Sequence, residues 1–483
     1  MPRPGNGVES FESQGPVPSV QQNHMRYDPI DARLFGSNRE RLKRLLLPNS
    51  LAVVNANDVL PSNGDGTLGI CPNSDLFYLS GVEQEESILL LFPGADDDKD
   101  REILFLREPR PELETWEGHK LTKAEAKQLS GVRRIEWLDA FPRVFHKLLC
   151  ECEHVYLNSN EHKRAIIEVE NRDARFVLDV VRRYPLHDYR RLAPLLHQLR
   201  VTKTEPELAL LRRACDITGA GFRRVLEFIK PGVTEFEIEA EFAHEFTRRG
   251  ARFAYLPIIG GGPNSCVLHY IRNSATCLQD QLLLLDVGAC YANYNADMTR
   301  TVPVSGRFNR RQRQVYEAVL RVLRRSIQGL RPGRKHKDWQ KEGEQLIEQE
   351  LVDLGLLTMR QIKRQDPDEP AFKKFFMHGL GHPLGLDVHD VGLLHQPIQA
   401  GWIMTVEPAV YIREENLAVR LENDVLVTEK GPVDLMKDIP IEAGEIEDIM
   451  NQRARSRTRP ARVPLPSRFI PERIARVASN PSN

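Results

Sequence analysis

Apolar residues in the first part of the chain form short runs that are separated by clusters of Gly, Pro and Asp. The runs have the length of buried strands, and they lie at 51–55, 75–80, 87–92 and 103–106. Helical periodicity is found near 38–47, 122–129 and 162–182. Strands that alternate with helices indicate an α/β domain, which we assign to residues 26–185.

The pattern changes in the second part, where two helices start with the same polar signature. Thr204 is followed by Glu207, and Thr234 by Glu237. Each pair predicts a capping box, in which the Thr and Glu side chains bond to each other's backbone N–H groups. The other predicted elements are helices near 309–329 and 336–354, and strands at 252–259, 282–287, 298–304, 402–412 and 417–427. Paired helices that alternate with antiparallel strands indicate an α+β domain over 186–449, with helices packed on a curved sheet.

Both ends of the chain lack this periodicity. Residues 1–25 are rich in Pro, Gly, Ser and Gln, so we expect a disordered arm, and Met25 could be the natural start. Residues 450–483 form an Arg-rich tail, with eight arginines and one acid. We expect this tail to be disordered and solvated, in preference to binding nucleic acid or acidic membranes.

The composition argues against several classes of protein. The formal net charge of the 483 residues is -1, which selects neither nucleic acid nor membrane as a partner. Seven scattered cysteines without a CxxC pair argue against a disulfide framework. The N-terminus has no apolar signal-peptide core, and no apolar run approaches the roughly 18–20 residues that span a bilayer. These features predict a cytoplasmic protein.

Four carboxylates and one histidine stand in short apolar or glycine-rich contexts: Asp286, Asp297, His382, Glu407 and Glu422. Taken singly, an Asp that follows a buried strand is more often a turn former or a helix cap. Taken together, four carboxylates and one imidazole can hold two divalent metals, because the four negative charges of the carboxylates balance the four positive charges of the two ions. Such oxygen-rich ligation suits hard or borderline ions such as Mn²⁺. Two metals about 3.5–4 Å apart would activate a shared water and polarise a carbonyl.

The alternation of side chains along a strand predicts which of these residues point to the same side. Within 418–424, Arg420 and Glu422 point to one side of the strand, away from the apolar side. Asp297 and Thr299 also share a face, which makes the Thr299 hydroxyl a candidate partner for a metal ligand. A salt-bridged surface strand is the alternative explanation of the first pattern.

Three histidines, His378, His382 and His389, fall within twelve positions of the chain. Two glycines between the first two disfavour a helix and favour a turn or irregular strand where backbone segments approach closely. A lone histidine is more often a core residue, but this density favours function.

With these motifs the chain resembles the pita-bread metallopeptidases, and within them the aminopeptidase P (Xaa-Pro aminopeptidase) family. The resemblance covers roughly residues 26–448 and includes the N-terminal string NSDLFYLSGVEQEESILLLFP. It implies a pita-bread catalytic domain preceded by an α/β N-terminal domain, which narrows the cleft and aids oligomerisation. Two small departures are Pro383, after the ligand histidine, and the Arg-rich tail.

The resemblance implies a role for each ligand. Asp286 and Asp297 would serve one metal and His382 and Glu407 the other, with Asp297 and Glu422 bridging the two. Glu407 would also be the proton shuttle between the attacking water and the leaving amine.

The resemblance also implies five further residues at the site. Four would be catalytic, His269, His378, His389 and Arg420, and Tyr411 would bind the substrate together with the three histidines. Of these, His269 would lie beside the substrate, His389 would stabilise its carbonyl oxygen, and His378 would lie near its far end. Trp116 is a candidate for the family tryptophan that reaches a neighbouring subunit's cleft.

The implied reaction is hydrolysis of the N-terminal Xaa-Pro bond by a hydroxide held between two divalent metals, with release of the first residue. The implied partners are peptides with proline in second position and further copies of the chain, as a dimer or tetramer. One alternative is prolidase, which cleaves only Xaa-Pro dipeptides. Methionine aminopeptidase usually lacks the N-terminal domain, and an inactive peptide-binding homologue would have lost ligands that this chain keeps.

Overall fold

The computed structural model describes residues 25–166 and 168–457. The arm expected before Met25 and the tail beyond Arg457 lie outside the described residues, so those expectations stay predictions. The last helix, Ala443–Arg457, continues past the boundary placed at 449.

The N-terminal half is built on one mixed sheet of six strands. The strands are β1 Ser50–Asn55, β2 Ile88–Leu91, β3 Glu102–Leu106, β4 Arg134–Trp137, β5 His154–Leu157 and β6 Asp188–Arg191, in the order β4-β3-β2-β1-β5-β6. The helices are α1 Ala32–Lys43, α2 Ser74–Ser80, α3 Pro111–Glu117, α4 Lys123–Ser130, α5 Phe141–Leu149, α6 Arg172–Arg183 and α7 Ala193–Arg200. This is the α/β arrangement that the alternating pattern predicts, although β6 lies beyond the boundary predicted at 185.

The strand predicted at 75–80 is wrong, because this segment is helix α2. Asn73 caps the helix by accepting hydrogen bonds from the backbone N–H groups of Asp75 and Leu76, and Gly81 ends it in the left-handed conformation. All residues from Leu76 to Ser80 are buried. A segment that is buried on every side shows neither the helical nor the strand period, so its type could not be read from the pattern.

The second half contains four small antiparallel sheets. Its strands are β7 Arg252–Phe253, β8 Ile258–Gly261, β9 Leu282–Val287, β10 Ala289–Tyr291, β11 Tyr294–Asn295, β12 Met298–Pro303, β13 Ile403–Val406, β14 Ala409–Ile412, β15 Leu417–Arg420, β16 Asn423–Thr428 and β17 Gly431–Asp434. They pair in the orders β11-β10-β7, β12-β9-β8, β13-β16-β17 and β14-β15.

Helices cover these sheets, as the paired-helix pattern predicts. They are α8 Glu205–Phe228, α9 Glu235–Arg248, α10 Arg310–Gly329, α11 His336–Asp353, α12 Met359–Arg364 and α13 Ala443–Arg457. Both predicted capping boxes form, at Thr204 with Glu207 and at Thr234 with Glu237. The α+β class is therefore confirmed for this half of the chain.

An apolar core crosses the junction between the two halves. Leu76 and Leu79 of α2 belong to the same buried cluster as Leu208 of α8 and as Leu384 and Leu386 of the second half. This packing fixes the N-terminal domain against the segment that carries His389. Among the described helices, none has both the length and the apolar composition that a membrane span requires.

Candidate metal centre

The five predicted ligands lie at strand ends or in the breaks between strands. Asp286 is near the end of β9, and Asp297 immediately precedes β12. Glu407 lies in the break between β13 and β14, and Glu422 in the break between β15 and β16. His382 lies on the irregular segment before β13, and its main chain is hydrogen-bonded to Thr405 of that strand. The breaks split the predicted strands 402–412 and 417–427 at the two glutamates.

These side chains meet in one place. His382 Nε2 is 3.5 Å from Asp297 Oδ2 and 3.9 Å from Glu407 Oε1. Asp297, His382 and Glu422 each offer a ligand atom within 4.8 Å of the others. Asp286 joins the group through Tyr255, whose hydroxyl lies 2.5 Å from a carboxylate oxygen of both Asp286 and Asp297. The structure therefore brings all five predicted ligands together.

Two glycines allow the backbone to approach closely at this centre. A Cβ on Gly381 would lie 1.9 Å from the carbonyl oxygen of Thr405, and a Cβ on Gly288 would lie 1.8 Å from that of Ala296. Both contacts exclude any side chain, and the one at Gly381 is a close approach of the kind predicted for the glycine-rich histidine string. The Nδ1 atom of His382 is 2.9 Å from the Pro383 carbonyl oxygen. Nδ1 therefore donates to this carbonyl, and Nε2 is left to bind a metal.

Buried negative charge dominates the electrostatics. Burial raises the pKa of Glu407 to about 7, even though His382 and Arg420 act in the opposite direction. Burial, followed by the charge of Asp297, raises the pKa of Glu422 well above its usual range. Burial also raises the pKa of Asp286 despite the neighbouring Arg420. Carboxylates with pKa values raised in this way lack sufficient positive charge around them.

The negative charge of the carboxylates also changes the pKa of His382. Burial by itself lowers the pKa of His382, but the hydrogen bond with Asp297 and the charge of Glu407 outweigh this effect and raise the pKa to about 9. A pair of divalent cations would supply the missing positive charge to four carboxylates and a neutral imidazole. The donor set thus fits two hard or borderline divalent ions.

The buried Arg420 guanidinium is hydrogen-bonded to residues of the centre. Arg420 donates to a carboxylate oxygen of Asp286, to the Tyr411 hydroxyl at 2.8 Å and to the Thr299 hydroxyl at 3.2 Å. Thr299 in turn donates to Glu422 Oε2 at 2.7 Å. These contacts match the faces that strand alternation predicts for Arg420, Glu422 and Thr299.

The three further histidines differ in their surroundings. His378 lies 2.9 Å from the Tyr411 hydroxyl and 3.5 Å from Glu407, and burial is the main cause that lowers its pKa to about 4. His389 is exposed and packs edge-on against His382, with ring centroids 4.2 Å apart. His269 is also exposed, and its charge contributes to lowering the pKa of His378.

Three residues at the centre were not identified as site residues from the sequence. Tyr255 bridges two of the predicted ligands, Asp286 and Asp297, and Arg164 of the N-terminal domain donates to His389 at 3.0 Å. Asp424 is buried, and its Oδ2 accepts a hydrogen bond from the backbone N–H of Asp297 at 3.1 Å. Alternation along β16 and the preceding residues could have indicated Asp424, because it shares a face with Glu422. No local pattern marks Tyr255 or Arg164.

Comparison with known proteins decides the family. Residues 209–429 match the model of metallopeptidase family M24, and residues 35–156 match that of the aminopeptidase P N-terminal domain. A Xaa-Pro aminopeptidase from Haemophilus influenzae is 34% identical over 434 residues, which cover 86% of this chain and 97% of the relative. The chain belongs to the aminopeptidase P group of metallopeptidase family M24.

Other members of the aminopeptidase P group agree with this assignment. A Xaa-Pro aminopeptidase from Escherichia coli is 33% identical, over 87% of this chain and 98% of the relative. The solved structure of Zn-substituted Escherichia coli aminopeptidase P in complex with product matches with a TM-score of 0.77 and 32% identity, over 88% of this chain and 99% of that one. The pita-bread catalytic domain and the α/β N-terminal domain expected from the resemblance are thereby confirmed.

Proposed function

We propose that the chain hydrolyses the N-terminal Xaa-Pro bond of peptides and releases the first residue. The main support is the convergence of Asp286, Asp297, His382, Glu407 and Glu422, on a fold shared with enzymes named Xaa-Pro aminopeptidase. A structure of Escherichia coli aminopeptidase P with the inhibitor Pro-Leu also covers 89% of this chain, with a TM-score of 0.78. This supports peptides with proline in second position as substrates.

The five ligands would hold two divalent cations, which would lower the pKa of a bound water and polarise the scissile carbonyl. We propose Mn²⁺ as the ion, because the donor set is rich in oxygen and has one imidazole. Glu407 would take a proton from the attacking water and return it to the departing proline nitrogen.

The remaining site residues would orient the peptide. His269 and His389 are exposed at the centre, so a bound peptide could contact them directly. We assign substrate contact to both, with His389 donating to the carbonyl oxygen as the bond breaks. His378 and Tyr411 are bonded to each other beside Glu407, and we assign them to the far end of the substrate. Arg420 fixes the ligand Asp286 and the Tyr411 hydroxyl.

The proposed preference for proline in second position has a physical reason. The Xaa-Pro bond is a tertiary amide without an N–H, so a site that recognises peptides as added β-strands loses a hydrogen bond at this position. Attack on the carbonyl by a metal-activated water does not need that N–H. We propose that the N-terminal domain, which reaches the centre through Arg164, limits access to a free N-terminus.

Two wider proposals concern assembly and location. Trp116 is 88% exposed near the end of α3, and we propose that it lies against a second copy in a homo-oligomer. All seven cysteines are free, which supports a reducing compartment such as the cytoplasm.

The proposed function predicts a clear substrate pattern. Purified protein is stripped of metal, reloaded with Mn²⁺ and given an X-Pro-Y tripeptide, an X-Pro dipeptide or an X-Ala-Y tripeptide, and the released residues are identified by mass spectrometry. We expect release of X from X-Pro-Y and slow or no cleavage of the other two. Cleavage of the dipeptide alone would identify a prolidase, and no cleavage with any of several metals would favour an inactive peptide-binding homologue.

A further inference from the structure

A cluster of buried charges lies beside the metal centre and connects the two halves of the protein. The Arg200 guanidinium donates to Asp390 Oδ1 at 2.6 Å, to Asp387 Oδ2 at 2.7 Å and to Asp75 Oδ1 at 2.8 Å. Lys203 Nζ donates to the other oxygen of Asp390 at 2.9 Å. Asp75 belongs to α2 of the N-terminal domain, whereas Asp390 directly follows His389.

Three members of this cluster are shielded almost completely from water. Asp390 is 2% exposed, Arg200 is 4% exposed and Lys203 is 7% exposed. Removing charges from water is costly, and such groups often add little net stability compared with apolar residues of the same size. A role in fixing one conformation explains the cluster better than stabilisation does.

The conformation that the cluster fixes is that of the loop from Pro383 to Asp390. The backbone N–H of Asp390 donates to the Pro383 carbonyl at 3.0 Å, which closes the loop. Inside it, a Cβ on Gly385 would lie 2.1 Å from Asp390 Oδ2 and 2.8 Å from Lys203 Nζ. The loop backbone is therefore folded tightly around the Lys203–Asp390 ion pair.

The His389 side chain itself is held loosely. Its ring is exposed, packs against one edge of His382 and accepts a hydrogen bond from Arg164, which is exposed as well. Exposed contacts of this kind restrain a ring weakly. The position of the ring therefore depends mainly on the backbone of its loop, and through it on Asp390.

We propose that Asp390, held between Arg200 and Lys203, is a positioning residue that fixes His389 against the metal centre. Through Arg200 and Asp75 the same cluster makes the placement of His389 depend on correct docking of the N-terminal domain. The catalytic consequence rests on the proposed function, because it requires His389 to contact the substrate. The structural consequence, a rigid loop, does not.

The test compares Asp390→Asn with the wild type, both loaded with Mn²⁺ and assayed with an X-Pro-Y tripeptide. We expect kcat to fall about 10- to 100-fold, the range seen when a residue that orients a functional group is lost. KM and the bound Mn²⁺ should stay within about threefold of the wild type. In a His389→Ala background the same substitution should change kcat by less than about twofold, because two residues that act through one group are not additive.

A matched control is available in the N-terminal domain. Asp100 is 5% exposed and also lies between an arginine and a lysine, Arg134 and Lys147. Asp100→Asn removes a buried carboxylate of the same kind at a distance from the centre, so it should leave kcat near the wild-type value. Lys203→Arg should likewise retain most activity, whereas Lys203→Met should not.

A second readout separates this proposal from the proposed function. Hydrogen–deuterium exchange over residues 383–390 should speed up in Asp390→Asn but not in Asp100→Asn, whatever the enzyme cleaves. If Asp390→Asn fails to fold, the half-exposed Asp387 offers a milder variant, Asp387→Asn, with the same expected directions. Unchanged exchange together with unchanged kcat in Asp390→Asn would overturn the positioning role. The role would also be overturned if Asp390→Asn lowered kcat as much in the His389→Ala background as it does in the wild type. A wild type with no activity on X-Pro-Y but a loop loosened by Asp390→Asn would contradict only the proposed function.

Discussion

Replacing Glu407 by glutamine should lower kcat for an X-Pro-Y tripeptide by about a thousandfold or more. The substitution keeps the size of the side chain but removes both a ligand charge and the group assigned to carry the proton. Loss of a general acid–base group alone typically costs about 10²- to 10⁴-fold. Glu407 lies 3.9 Å from His382 and 3.5 Å from His378, so it is close both to a proposed ligand and to a residue assigned to the substrate.

The measurement is the steady-state rate with Mn²⁺ in excess, so that weaker metal binding does not hide the chemical effect. Glu415→Gln is a suitable control, because Glu415 lies on the same half of the protein and pairs with Arg311 away from the centre. The control should behave as the wild type. Near-normal turnover of Glu407→Gln would show that the centre is assigned wrongly.

Asp297→Asn should remove both metal binding and turnover. Asp297 lies 3.5 Å from His382, accepts from Tyr255 and belongs to the group of ligand atoms that includes Glu422. An amide in its place offers one neutral oxygen to the metals and brings an NH₂ group close to His382. Replacing a residue that only supports a metal ligand typically lowers metal affinity or activity about 10- to 100-fold. Loss of the proposed ligand itself should therefore lower turnover more than 100-fold.

Metal content after dialysis, measured by atomic emission, is the direct readout for Asp297→Asn. We expect less than one ion per chain, against two for the wild type. Asp353→Asn, at the exposed end of α11, should keep both ions. A fully loaded and active Asp297→Asn protein would exclude Asp297 as a ligand.

The fold was predictable where local signals were strong. The capping boxes at Thr204 and Thr234 predicted the starts of α8 and α9, and the apolar run before Asp286 predicted β9. The error at α2 has the opposite cause, because the helix is buried on every side and its caps, Asn73 and Gly81, also suit a turn. The predicted strands 402–412 and 417–427 are broken at the proposed ligands Glu407 and Glu422, and no residue propensity marks these breaks.

The site was predictable as a set of residue types, but its supporting contacts were not. The five proposed ligands stand in recognisable local strings, and alternation placed Arg420 and Thr299 correctly. Tyr255 and Arg164 reach the centre only through the tertiary fold, the latter from a different domain. Contacts between segments so distant in sequence leave no period or spacing to recognise.

We propose that these five residues hold the two metals that the hydrolysis requires. The decisive experiment adds Mn²⁺ stepwise to stripped wild-type protein while cleavage of an X-Pro-Y tripeptide is followed. Because the ligand set balances two divalent ions, we predict no cleavage without metal and a rate that saturates at two bound ions per chain. Full turnover of the stripped protein would show that hydrolysis needs no metal, and metal binding that leaves X-Pro-Y intact would show that the bound ions do not serve this reaction.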